Sequence, residues 1–161
     1  MCLKGDYIRG TFYPRMTQSF SYNDIVTNLM YLFIRQLDET KYVVWIEKSI
    51  RFSGNDEISP DCTILQDYNL RDRTAGPNAT NIQLIIEVLN SHTLNRKLPI
   101  YAAHGVPEVW VISSSNSVLH VYTRPNQNLN VYENEQTYIS GKSVTPQFIM
   151  PKFTINVNDI L

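Results

Sequence analysis

Two carboxylates in this chain stand where carboxylates are costly. Glu87 lies inside Leu84-Ile85-Ile86-Glu87-Val88-Leu89, a continuous apolar run rich in Ile and Val, which reads as a strand buried on both faces. A carboxylate there loses its hydration, at an effective cost of several kcal/mol unless something compensates. Asp61 follows Pro60 at the head of a second short apolar segment, SPDCTILQD. If the two segments are neighbouring strands, the carboxylates converge and can hold a divalent cation. Mg²⁺ prefers oxygen ligands, keeps several waters and needs only one or two protein carboxylates. Such an ion would relieve the burial of Glu87 and activate a water for attack on a phosphodiester. Plainer readings stand beside this one. Asp after Pro at a strand entrance is commonly a turn former, and Glu87 would equally be held by Arg96, Lys97 or another basic group.

The elements that must position this pair can be read along the chain. DYIRGTFYP (6–14) reads as an entry strand ended by Pro14. SYNDIVTNLMYLFIRQLDE (21–39) is the clearest helix: Ser21 to Asp24 has capping-box spacing, and Ile25, Leu29, Leu32, Phe33 and Leu37 form one stripe. KYVVWIEKSIRF (41–52) reads as one strand with Val44, Ile46, Ile50 and Phe52 on a common face. Glu47 in it is an additional acidic candidate, although alternation with Ile46 favours a solvent-facing position. SGNDE is a turn, and SPDCTILQD (59–67) a strand followed by the loop YNLRDRTAGPNAT. LNRKLPIYAAHG (94–105) is helical and stops at His104-Gly105, before the strand PEVWVIS (107–113). A helix between the Glu87 and Trp110 strands predicts a crossover within one mixed sheet. SVLHVYT and NLNVYEN form a hairpin around RPNQN, and FTINVNDIL closes the chain with Phe153, Ile155 and Val157 alternating. The class is α/β.

The 161 residues suit one domain, 1–161, large enough for a substantial core. With 43% hydrophobic and 18% charged residues, and no long apolar run or signal-like N-terminus, the expectation is a soluble cytoplasmic protein without membrane segments. A net charge of −1 argues against coating nucleic acid by bulk electrostatics, but leaves room for a local basic cleft. Cys2 and Cys62 have neither metal-ligand nor disulfide spacing, and His92, His104 and His120 lack zinc spacing. No glycine-rich phosphate loop is present, and the ten tyrosines suit sheet faces rather than a base-stacking platform.

SPDCTIL, LIIEVLNSHT and KLPIYAAHGVPEVWVIS, in that order, resemble the Uma-type restriction-endonuclease-like family of the PD-(D/E)XK nuclease superfamily. The resemblance runs from GDYIRG to FTINVNDIL. It implies a restriction-endonuclease-like core, a mixed sheet flanked by helices, here with an additional C-terminal β-hairpin. Asp61 matches the Asp of the PD motif and Glu87 the second acidic residue. Leu89 occupies the place where a lysine commonly follows, so the resemblance assigns that role to Lys97, with Tyr101 one turn on along the same helix face. Asp61 and Glu87, with the Val88 carbonyl, would then ligate Mg²⁺ (Mn²⁺ as substitute), and Lys97 would orient the attacking water or stabilise charge on the phosphate. The segment between Glu87 and Lys97 is about one turn shorter than the family pattern, Asn95 and Arg96 stand where that pattern has an acid, and Tyr22 stands where it frequently has His. The implied activity is endonucleolytic hydrolysis of DNA, RNA remaining an alternative, by a protein able to act as a homodimer. Two rivals stand beside it: an inactive nuclease fold that binds nucleic acid or protein, with Glu87 and Lys97 as a buried ion pair, and a module that self-associates through the C-terminal hairpin edge.

Overall fold

The computed structural model describes residues 4–72, 74–88 and 93–161. Its centre is the Glu87 segment. Taking all twelve strands in chain order, β1 is Gly5–Ile8, β2 Thr11–Pro14, β3 Tyr42–Ile46, β4 Ile50–Ser53, β5 Asp56–Ile58 and β6 Cys62–Gln66. They are followed by β7 Ile82–Val88, β8 Glu108–Ser113, β9 Val118–Asn126, β10 Val131–Ile139, β11 Ser143–Val144 and β12 Ile155–Asn156. Two helices, α1 Phe20–Gln36 and α2 Leu94–Ala103, complete the frame. The main sheet has six strands in the order β10-β9-β8-β7-β6-β3, with β7 antiparallel to β6 and parallel to β8. The parallel pair is joined through α2, the crossover expected from the sequence. Every residue of β7 except Gln83 is buried, which is why it reads as a nearly continuous apolar run.

Alternation along β7, interrupted by a register shift between Ile82 and Leu84, divides the core between the two faces of this sheet. Leu84, Ile86 and Val88 face α1, through its Tyr22, Ile25, Leu29 and Phe33, and the C-terminal segment, through Ile149, Ile155, Val157 and Ile160. Ile82 and Ile85 face α2 and a smaller four-stranded sheet, β2-β1-β5-β4, which brings Ile8, Ile50 and Ile58. The result is three layers with the main sheet in the middle. This mixed α/β architecture, with its C-terminal hairpin, is the expected restriction-endonuclease-like class. No helix among the described residues is long and apolar enough to cross a membrane.

Several element boundaries differ from expectation, each for a local reason. Residues 6–14 form a hairpin rather than one strand, because Arg9 (φ 51°) and Gly10 (φ 79°) supply the paired left-handed residues of a tight turn. The α1 cap is Ser19, not Ser21: its hydroxyl accepts the Tyr22 N–H at 3.2 Å. The segment 41–52 is two strands in two different sheets, β3 and β4, broken where Glu47 adopts φ 49°. The β9–β10 hairpin turns at 127–130, with Arg124, Pro125 and Asn126 still inside β9. Pairing of β9 to β8 ends at Thr123, so Pro125 has no ladder bond to lose on that side.

Candidate active site

The ladder between β6 and β7 ends at the pair Cys62–Ile86. Continuing that register by one residue sets Asp61 opposite Glu87, and cross-strand partners project from the same face with Cβ atoms about 5 Å apart. Both are buried, 5% and 3% exposed, and both line one cavity of about 200 Å³ together with Asp6, Arg15, Tyr22 and Lys97. Beyond the end of β6 the Val88 N–H has no strand partner on that side, and the Asp61 carboxylate accepts it instead (Oδ2, 2.6 Å).

Lys97 and Tyr101 answer how Glu87 is tolerated. Four residues apart on α2, they share the face turned to β7. Lys97 Nζ lies 3.2 Å from Glu87 Oε2 and 3.1 Å from Asp6 Oδ2, and its side chain is only 2% exposed. The Tyr101 hydroxyl donates to Glu87 Oε1 at 2.5 Å from a fully buried position, its ring packed against Phe52. Lys97 belongs to the first turns of α2, so its aim is set by the helix. Pro99 follows inside the same helix without ending it.

The far side of Asp61 is closed by three residues from elsewhere in the chain. The Tyr22 hydroxyl, on the first turn of α1, lies 2.5 Å from Asp61 Oδ1 and 2.8 Å from Glu47 Oε1. One phenolic hydrogen cannot satisfy two carboxylates, and the Arg15 guanidinium supplies the balance. Its Nη1 is 3.0 Å from Glu47 Oε1 and 3.4 Å from Asp61 Oδ1, while Nη2 donates to the Ser59 carbonyl at 2.5 Å. Glu47 is therefore not a solvent-facing residue alternating with Ile46. Its own N–H continues the ladder to the Asp61 carbonyl at 3.2 Å, and the left-handed backbone there swings the side chain toward Arg15.

Carboxylates outnumber cations in this cluster, and the proton affinities follow. Burial raises Glu87 to about 7; Lys97 pulls it down and Asp61 pushes it up. Burial also raises Asp61, against the hydrogen bonds from Tyr22 and Val88 and the charge of Arg15. For Lys97, burial pulls downward but Glu87 and Asp6 outweigh it, so the ammonium is held charged. Tyr22 and Tyr101 are raised by burial and then by the adjacent carboxylates, so both remain hydroxyl donors.

All of Asp61, Glu87, Val88, Lys97 and Tyr101 thus come together. Asp6, Arg15 and Tyr22 were not anticipated as site residues, since they arrive from the N-terminal hairpin, the segment leading into α1 and the first turn of α1. The one available signal was the departure at Tyr22 from the family's histidine. His104 bonds its own helix carbonyl at Ile100, and His120 pairs with Glu135 on the hairpin, so neither joins the site. Cys62 is a buried free thiol. Cys2, Leu89 and His92 lie outside the described residues. Among the described residues, no three of His, Cys, Asp and Glu group as a metal cluster. Asp6, Asp61 and Glu87 are the carboxylates that line the cavity, and Val88 lines it beside them.

A main sheet crossed by α2, with acid, acid and lysine at the end of its central strands, defines a restriction-endonuclease-like nuclease fold. The chain belongs to the Uma2 family, described as "putative restriction endonuclease", whose model matches residues 3–158. It is also similar to a crystal structure from Anabaena variabilis, of a "putative nuclease belonging to DUF820". The TM-score is 0.76 at 17% identity, over 96% of this chain and 88% of that one, a likeness of fold. Among curated proteins none matches the chain.

Proposed function

We propose that the protein is a Mg²⁺-dependent endonuclease that hydrolyses DNA phosphodiester bonds. The observation that carries this reading is that Asp61 and Glu87 are both buried and line one cavity, with Lys97 Nζ 3.2 Å from Glu87. The donor set suits a hard cation. Two carboxylates and the Val88 carbonyl are oxygen ligands, and burial raises the proton affinity of both carboxylates, a cost that a bound cation would offset. Asp61, Glu87 and Val88 would hold the ion, and Mn²⁺ would serve in its place. When bound, the ion lowers the pKa of a coordinated water and stabilises charge on the phosphate.

The remaining roles belong to the chain itself. Lys97, held charged by Asp6 and Glu87, presents an ammonium beside the carboxylates, where it orients the attacking water or neutralises charge developing on the phosphate. Tyr101 fixes one Glu87 oxygen, and Tyr22 with Arg15 fixes one Asp61 oxygen, so that both carboxylates keep their orientation. Among the described residues no side chain in the site is an activated nucleophile, and hydrolysis by water without a covalent intermediate suits it. Cutting both strands of a duplex would take two such chains, a homodimer.

A specific observation favours a second reading. The buried Glu87–Lys97 ion pair satisfies Glu87 without a metal, as an inactive nuclease fold would require. Calorimetric titration with Mn²⁺ separates the two. The nuclease reading expects saturable binding in the wild type, abolished in Asp61→Ala and Glu87→Ala. No heat of binding at millimolar Mn²⁺ would sink it and leave the inactive fold in its place. Plasmid nicking in Mg²⁺, lost in Lys97→Ala, is the companion assay.

A further inference from the structure

Lys97 and its neighbour Arg96 point to different partners in one β-hairpin. Asp6 and Tyr13 stand opposite each other in the β1–β2 pair, hence on the same face. Lys97 takes Asp6, and the Arg96 guanidinium lies over the Tyr13 ring, 4.9 Å from its centre. Tyr13 is also a wall of the catalytic cavity. On its other side it opens onto a groove of about 340 Å³, bounded by Arg9, Thr11, Tyr13, Asn95, Arg96 and Pro99. Among the described residues no acidic residue lines that groove, whereas the catalytic cavity is lined by Asp6, Asp61 and Glu87.

We infer that this groove, between the β1–β2 hairpin and the first turn of α2, is a phosphate-backbone track leading a nucleic-acid strand into the catalytic cavity, with Arg9 and Arg96 as its cationic contacts. The inference rests on the nuclease reading and adds the path of the substrate. A chain with net charge −1 has no bulk attraction for a polyanion, and the carboxylates around the reacting centre repel one. Local cations beside that centre must offset the repulsion. Arg9 and Arg96 are both exposed, and among the described residues neither guanidinium is engaged in an ion pair. Asp56, the acid nearest the hairpin tip by its contacts, is occupied by the Arg9 backbone N–H at 2.7 Å and by the Ser53 hydroxyl at 2.8 Å. Stacking on Tyr13 holds the Arg96 guanidinium at the junction of groove and cavity. Thr11 and Asn95 add neutral hydrogen-bonding side chains along the same walls. Arg96, beside Tyr13 at the junction with the cavity, would meet a phosphate near the scissile one, and Arg9, at the hairpin turn, one further along the strand.

The test is fluorescence anisotropy of a labelled short DNA duplex in EDTA, where nothing is cut, over a series of salt concentrations. The Arg9→Gln/Arg96→Gln double variant is expected to bind about tenfold more weakly, with the salt slope reduced by roughly two phosphate contacts. Arg96→Lys, which keeps the charge, should retain the slope. Arg71→Gln, outside the groove, should bind as the wild type does. Both arginines are exposed, and unchanged circular dichroism and melting temperature will verify that the variants fold. If the double variant keeps wild-type affinity and slope, the track is wrong while the nuclease reading stands. A wild type that binds neither this duplex nor an RNA of the same length would remove the nuclease reading and the track with it.

Discussion

Lys97 Nζ lies 3.2 Å from Glu87 Oε2, and both side chains are almost fully buried, 2% and 4% exposed. A buried pair of this kind costs little as a pair but much when halved, since the survivor is an uncompensated charge. Lys97→Met should therefore destabilise the protein by about 3–5 kcal/mol in denaturant unfolding. The Glu87→Gln/Lys97→Met double variant should recover a substantial part of that loss. Strictly additive effects of the two substitutions would show that the contact is not an energetic unit.

Glu87 makes stability depend on pH in a defined direction. Its folded-state pKa of about 7 lies above the ordinary 4.5. Across that window the unfolded chain has released the proton and the folded protein still holds it. The folded state then binds more protons, so stability falls as pH rises from 4.5 to about 7 and levels off above. Relative to Glu87→Gln, the wild type should lose on the order of 3 kcal/mol over this range. Urea unfolding of both proteins at several pH values provides the measurement. A difference between them that is flat with pH would contradict it.

Tyr22 holds Asp61 through a 2.5 Å hydrogen bond, and phenylalanine would keep the ring while removing the donor. Hydrogen bonds to charged groups contribute about 1.5–3 kcal/mol, and Tyr22→Phe should cost that order of stability. It should also weaken Mn²⁺ binding several-fold, because Asp61 loses one of the contacts that orient it. Unaltered binding would mean that Arg15 and Val88 suffice.

Glu108 makes a separate prediction away from the site. It is fully buried, accepting the Trp110 indole N–H at 2.7 Å through one oxygen and the Gln147 N–H at 2.8 Å through the other. Burial raises its proton affinity, against those two bonds. Glu108→Ala leaves both donors unpaired and should cost about 2–4 kcal/mol, with a change in tryptophan emission and no effect on metal binding. A loss under about 1 kcal/mol would indicate that water replaces the carboxylate.

What could be read in the chain and what could not divide along a physical line. The run around Glu87 announced a doubly buried strand because a strand in the middle of a sheet has no polar face to declare. Lys97 and Tyr101 were legible as a pair because the family resemblance pointed to them and helical spacing puts them on one face. The Glu87 strand, α2 and the Trp110 strand followed in order, and a parallel crossover is the arrangement such an order permits. The boundary at Glu47 was hidden, since alternation continues through it and only its left-handed backbone divides β3 from β4.

By itself, then, the sequence determined the central half of this protein: the buried acid, the acid beside Pro60, the lysine helix and the α/β class. Only the tertiary structure decided the other half of the site. Asp6, Arg15, Tyr22 and Glu47 all sit far from Glu87 along the chain, in segments whose local patterns concern strands, turns and a helix start. They meet because the N-terminal hairpin packs over α2 and because α1 begins beside the end of β6. Local spacing carries information about which residues share a face of one element. It carries none about which charges from separate elements will be buried together, and burial is what turns these scattered residues into one coupled cluster.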